Sequence, residues 1–64
     1  MKIKKYLHVA SGNVYEIEVC NTSAYCLTRN GLSHNIRISK MRLAESFREI
    51  DNLTYDCLLH ILVK

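Results

Sequence analysis

Proline and tryptophan are absent from this 64-residue chain, glycine occurs twice and phenylalanine once. No Pro-, Gly- or Ser-rich stretch, repeat or low-complexity segment divides it, so no linker is expected. Long apolar runs are also missing. Nothing approaches the roughly 18 residues of a membrane span. The basic start, Lys2-Ile3-Lys4-Lys5-Tyr6, leads into no apolar stretch of the kind that follows in a secretory signal. A cytoplasmic protein is therefore expected. Strong charge of one sign is lacking too, with nine Lys plus Arg against six Asp plus Glu and a net charge of +3. With 48% hydrophobic residues, that balance excludes a disordered chain.

Size sets the next bound. A chain of about 60 residues buries only about 60% of its unfolded surface, so residues 1–64 form one domain. Such a core supplies about 3–5 kcal/mol, and small scaffolds often add disulfides, a metal or a second subunit. Three cysteines, Cys20, Cys26 and Cys57, make an odd number without an export signal, which points to reduced thiols. A homodimer is then one source of the missing stability.

Residues 2–9 alternate, with Ile3, Leu7 and Val9 on one parity and Lys2, Lys4, Tyr6 and His8 on the other. That is the period of a half-buried strand with the aliphatic residues inward. Ser11-Gly12-Asn13 is a turn signal, and residues 14–20 alternate again, with Tyr15, Ile17 and Val19 inward. A third strand over 24–29 has Tyr25 and Leu27 inward. Asn30-Gly31 then supplies a two-residue type I′ hairpin. Uninterrupted pairing from this turn sets Arg29 opposite Leu32, Leu27 opposite His34 and Tyr25 opposite Ile36, which gathers Leu32, Ile36 and Ile38 on the inward face.

At Ser39 the period changes. Leu43, Ala44, Phe47 and Ile50 recur at helical spacing behind a Ser39 N-cap, so a short helix over about 40–49 is expected. The segment from Leu53 to Lys64 reads as a strand by alternation, and as a helix by its polar stripe of Asp56, His60 and Lys64. Its leucine content and length favour the helix. The fold class is α+β, mainly antiparallel β. It is read as a four-stranded curved sheet or small SH3-like barrel, with a short helix and an apolar C-terminal helix or strand.

Chemistry-bearing residues are few. Cys57 and His60, three apart, suit one helix face, and Cys20 and Cys26 share an outward parity, so these four are the candidate metal ligands. The five-residue gap between Cys20 and Cys26 departs from zinc-site spacings of two to four, and small apolar packing accounts for free cysteines. No metal or other cofactor is therefore assigned. His8 and His34 fall on opposite faces, and His34 reads as a core-edge histidine. Glu16 and Glu18 read as a solvated strand face. No phosphate-cradling glycine loop, nucleophile elbow or paired-histidine helix motif is present, so no enzyme is expected. Lys2, Lys4, Tyr6 and His8 outward on the first strand, with Arg37 on the fourth, form a candidate basic face for a partner or nucleic acid, provided the sheet curls to merge them. Arg42 and Arg48, interleaved with Glu45 and Glu49, read as an ordinary helix surface.

The stretches Gly12-Asn13-Val14-Tyr15-Glu16-Ile17, Ala24-Tyr25-Cys26-Leu27-Thr28-Arg29-Asn30-Gly31 and Leu43-Ala44-Glu45-Ser46-Phe47-Arg48-Glu49-Ile50 resemble the small SH3-like barrel proteins of phages and prophages. The resemblance spans about residues 3–50 and implies an accessory protein that binds a macromolecule, with no catalytic residues. The apolar tail after Ile50 departs from that pattern. A small non-catalytic protein that binds and modulates a protein partner is expected; the alternative is a nucleic-acid-binding barrel using the basic face.

Overall fold

The computed structural model describes residues 2–63. Its elements run β1 (Lys2–His8), β2 (Val14–Val19), β3 (Ser23–Arg29), β4 (Leu32–Ser39), α1 (Lys40–Ser46), β5 (Phe47–Ile50) and α2 (Asn52–Leu62). The strands form one antiparallel sheet of five in the order β4-β3-β2-β1-β5. The expected four strands are thus five, and β4 and β5 remain as unpaired edges of an open sheet. The α+β class, with a mainly antiparallel sheet and two helices, stands.

Each expected turn is present. Gly12 takes φ +78° between β1 and β2, where its N–H donates to the His8 carbonyl at 2.8 Å. Asn30 and Gly31 both adopt positive φ, 52° and 84°, as the type I′ turn requires, and Arg29 pairs with Leu32. Beyond Thr28–Ser33, however, the pairing resumes at Cys26–Ile36, so His34 and Asn35 together oppose Leu27. A second irregularity stands at the same level between β2 and β3, where Ile17 follows Glu16 directly but their partners are Cys26 and Thr28. Bulges at one level in adjacent ladders bend the sheet and strengthen its twist.

The bulges overturn the expected facing of β3. Tyr25 is 38% exposed and pairs with Arg37, while Cys26, expected outward, is 2% exposed and pairs with Ile36. A one-residue irregularity exchanges the two faces of everything beyond it. Leu32, expected inward, is exposed at the turn, whereas Ile38 packs on the core.

The facing of β1 is also reversed. Tyr6 lies directly opposite Tyr15 and is buried at 8% exposure in the core cluster with Tyr15, Ile17, Ala24, Cys26 and Leu43. Val19, Ile38 and Phe47 pack around it. Ile3 and Val9, expected inward, are exposed. Alternation says which residues share a face, but both faces of this sheet are partly covered. The second face carries Leu7 opposite a fully buried Val14, and there α2 lies against β1 and β2 through the buried Tyr55. Lys5 and Glu16 join across that face at 2.6 Å, with the Lys5 ammonium 4.8 Å from the Tyr55 ring centroid.

Ser39 caps α1 as expected, its Oγ accepting the Arg42 N–H at 3.1 Å. The helix is shorter than the 40–49 reading, because Phe47 turns extended and begins β5. Hydrogen-bonding groups on the free edge of β1 draw residues 47–50 into the sheet, in register from His8–Phe47 to Lys5–Ile50. The C-terminal segment takes the helical alternative. Asp51 is its N-cap, with Oδ1 accepting the Thr54 N–H at 2.7 Å. No helix among the described residues is long and apolar enough to cross a membrane.

Candidate functional site

Bending the sheet leaves an open cleft between the β4 edge and the α1–β5 corner. It has a volume of about 250 Å³ and is lined by residues of every strand and of α1. His8 closes one side from the end of β1, its ring centroid 4.9 Å from that of Phe47. Phe47 in turn meets Tyr15 edge-on at 5.2 Å, and Tyr15 meets His34 at 5.6 Å. These separations fall within the range of favourable aromatic pairing. Four rings therefore form a continuous wall, with Ile36 and Ile38 facing it from β4.

Two features fix that wall. His34 stands at the bulge, a position where an extra residue re-aims a side chain. The His8 ring is held by Nδ1 against Ser11 Oγ at 2.7 Å, in the turn that Gly12 makes sharp.

Cys26 lies in the lining. Burial pushes its thiol above the ordinary value, and the nearby Arg42 guanidinium only partly offsets this. The thiol stays protonated at neutral pH, the opposite of what a cysteine nucleophile needs. No hydrogen bond among the described residues joins it to His8 or His34. Arg42 brings the cation to the cleft, and among the described residues it forms no ion pair. An aromatic slot bordered by the Arg42 guanidinium can take an apolar or planar group that carries a neighbouring anion.

The five residues of the expected basic face are scattered. Lys2 is exposed at the start of β1, and Lys4 reaches Glu49 at 3.6 Å across to β5. Tyr6, expected outward, is core; burial raises its phenol above the ordinary value, with Glu49 adding to the shift and Lys4 opposing it. His8 lines the cleft. Arg37 borders it too, but stands opposite Tyr25, so strand alternation carries its side chain to the other face from Ile36 and Ile38. Strands β1 and β4 are separated by β2 and β3, and the merging of Lys2 and Lys4 with Arg37 does not occur.

The four cysteine and histidine candidates for a metal are equally dispersed. Cys26 is buried on the core side, Cys20 is half-buried in the β2–β3 turn, and Cys57 and His60 are exposed on α2 across the sheet. No group of three or more His, Cys, Asp or Glu among the described residues is placed to hold an ion.

Of the cleft residues, the sequence names His8 and Arg37 as candidate binding residues and Cys26 as a candidate metal ligand, and sets His34 at the rim of the core. His34 and His8, expected on opposite faces, share the cleft. Tyr15, Arg42 and Phe47 were read as core or helix surface. Alternation from the Asn30-Gly31 turn sets His34 on the parity of Ile36 and Ile38, and all three line the cleft; it is the reversed facing of β1 that brings His8 to join them, and that reversal has no marker in the chain. The chain matches no known family, no curated protein and no solved structure.

Proposed function

We propose that this chain is a small non-catalytic binding protein that grips a segment of a protein partner and thereby modulates it. The observation that carries the reading is the cleft itself, an aromatic slot beside Arg42 and directly next to the free edge of β4. An unpaired edge offers main-chain hydrogen bonds to an added extended segment, while an adjacent pocket selects one of its side chains. The segment favoured here carries an aromatic or aliphatic residue with a carboxylate close by. An accessory role of the phage or prophage kind is part of this reading, supported by the residues of the resemblance, and cytoplasmic residence is part of it on the ground of the basic start that no apolar stretch follows. The strand order, with a short helix between β4 and β5, supports an SH3-like barrel left open at the β4–β5 seam.

The test is affinity capture from host lysate with the wild type and with Arg42→Glu and Phe47→Ala. Loss of the same captured protein in both variants, with unchanged circular dichroism, supports the reading. Equal capture by all three sinks it.

A second reading, a nucleic-acid-binding module, is favoured by one observation: aromatic rings beside Arg42 suit base stacking next to a phosphate. Anisotropy of a labelled oligothymidylate separates the two. Binding that falls steeply with added salt supports nucleic acid, and absent binding at low salt excludes it.

A further inference from the structure

We propose that a second copy of this chain docks on α2, the two helices packing antiparallel about a two-fold axis that passes beside Cys57. This surface lies across the sheet from the cleft, and the proposal stands independently of what the cleft binds. The sheet-facing side of α2 uses Tyr55, with Leu58 and Leu59 half-buried and Leu59 reaching Gly31. Leu53, Cys57 and Ile61 recur every four residues and share the opposite side, where Leu53 is 75% exposed and Ile61 67%. Leu62 and Val63 extend the exposed apolar surface at the end of the helix. A helix that is apolar on both sides has a second face to cover.

Self-complementarity names the occupant. Asp56 and His60 run as a polar strip along one flank of the stripe, both exposed and neither in an ion pair among the described residues. In an antiparallel pair related by a two-fold axis, equal flanks face each other with direction reversed. Asp56 of one copy then meets His60 of the other, twice. A neutral imidazole retains one N–H for the carboxylate, and a protonated one adds charge. Along the stripe, Leu53 meets Ile61 of the other copy on each side of the axis, and Cys57 meets Cys57. The small side chain at the crossing lets the axes approach to the usual 8–10 Å or so. A chain of this size has reason to gain stability from such a contact.

Sedimentation equilibrium from micromolar to millimolar protein tests the proposal. The wild type is expected to pass from monomer to dimer mass. Leu53→Asp or Ile61→Asp weakens the dimer by about tenfold or more while circular dichroism is unchanged, because both positions are exposed. Asp56→His weakens it, and the exchange Asp56→His with His60→Asp restores it. Copper-catalysed oxidation yields a Cys57–Cys57 cross-link that Cys57→Ser abolishes. Monomer mass at every concentration overturns the proposal. A dimer indifferent to Leu53→Asp, or one cross-linked through Cys20, overturns it equally.

Discussion

Asn30 Nδ2 donates to Asn13 Oδ1 at 3.0 Å, tying the β3–β4 turn to the β1–β2 turn. The Asn30 Oδ1 also accepts the Val14 N–H at 2.9 Å, and its own N–H donates to the Val14 carbonyl at 2.7 Å. One residue thus supplies the left-handed backbone of the hairpin and the partner of a strand-end amide.

Two substitutions separate these roles. Asn30→Gly retains the positive φ and loses the side-chain bonds, leaving the Val14 N–H unpaired, so urea unfolding should register a loss of about 1–3 kcal/mol. Asn30→Ala loses the bonds and also pays left-handed strain, a further 1–2 kcal/mol or so. Equal stability of wild type and glycine variant would show that the tie between the turns is worth nothing.

Ile17 is fully buried at the centre of the core cluster. Ile17→Ala removes about 2–5 kcal/mol, comparable to everything so small a core supplies, so the variant should be largely unfolded at 25 °C. Ile17→Val, at about 0.5–1.5 kcal/mol, should fold with a lower denaturation midpoint. Cooperative unfolding of the alanine variant near the wild-type midpoint would contradict the core assignment.

Glu16 is held below the ordinary carboxylate value. The hydrogen bond from Lys5 is the main cause, opposed by desolvation and assisted by the Thr28 hydroxyl and the Lys5 charge. A depressed carboxylate stabilises the fold fully above its unfolded value of about 4.3 and loses that contribution as pH falls through the folded value. Thermal midpoints should therefore drop on acidification below that value, and less so in Glu16→Gln. Asp51 is depressed in the same direction by the Thr54 N–H, so part of the acid sensitivity survives in the variant. Identical acid sensitivity in both proteins would remove Glu16 from the account.

The three thiols should react in a definite order. In dilute protein, mass spectrometry after brief iodoacetamide treatment should find Cys57 alkylated first, because it is exposed, and Cys26 last, because it is buried and its thiol is raised. Early alkylation of Cys26 would mean that the cleft opens to its floor far more than the packing implies.

Local signals determined much of this protein. The Asn30-Gly31 hairpin, the Ser11-Gly12-Asn13 turn, the Ser39 cap and the inward side of β2 all follow from residues within a few positions of one another. The helical reading of the C-terminal segment rests on the same local grounds. Tertiary structure alone decided the rest. Tyr6 is core because it lies opposite Tyr15, and Cys26 rather than Tyr25 faces the core because two residues of β4 oppose Leu27. Residues 47–50 leave their helical period because β1 offers an unpaired edge. Each outcome turns on pairing between segments distant in the chain, where a shift of one residue exchanges the faces. Periodicity along the chain reports which residues travel together; only the hydrogen-bonded register and the helix on each face decide which set meets the core.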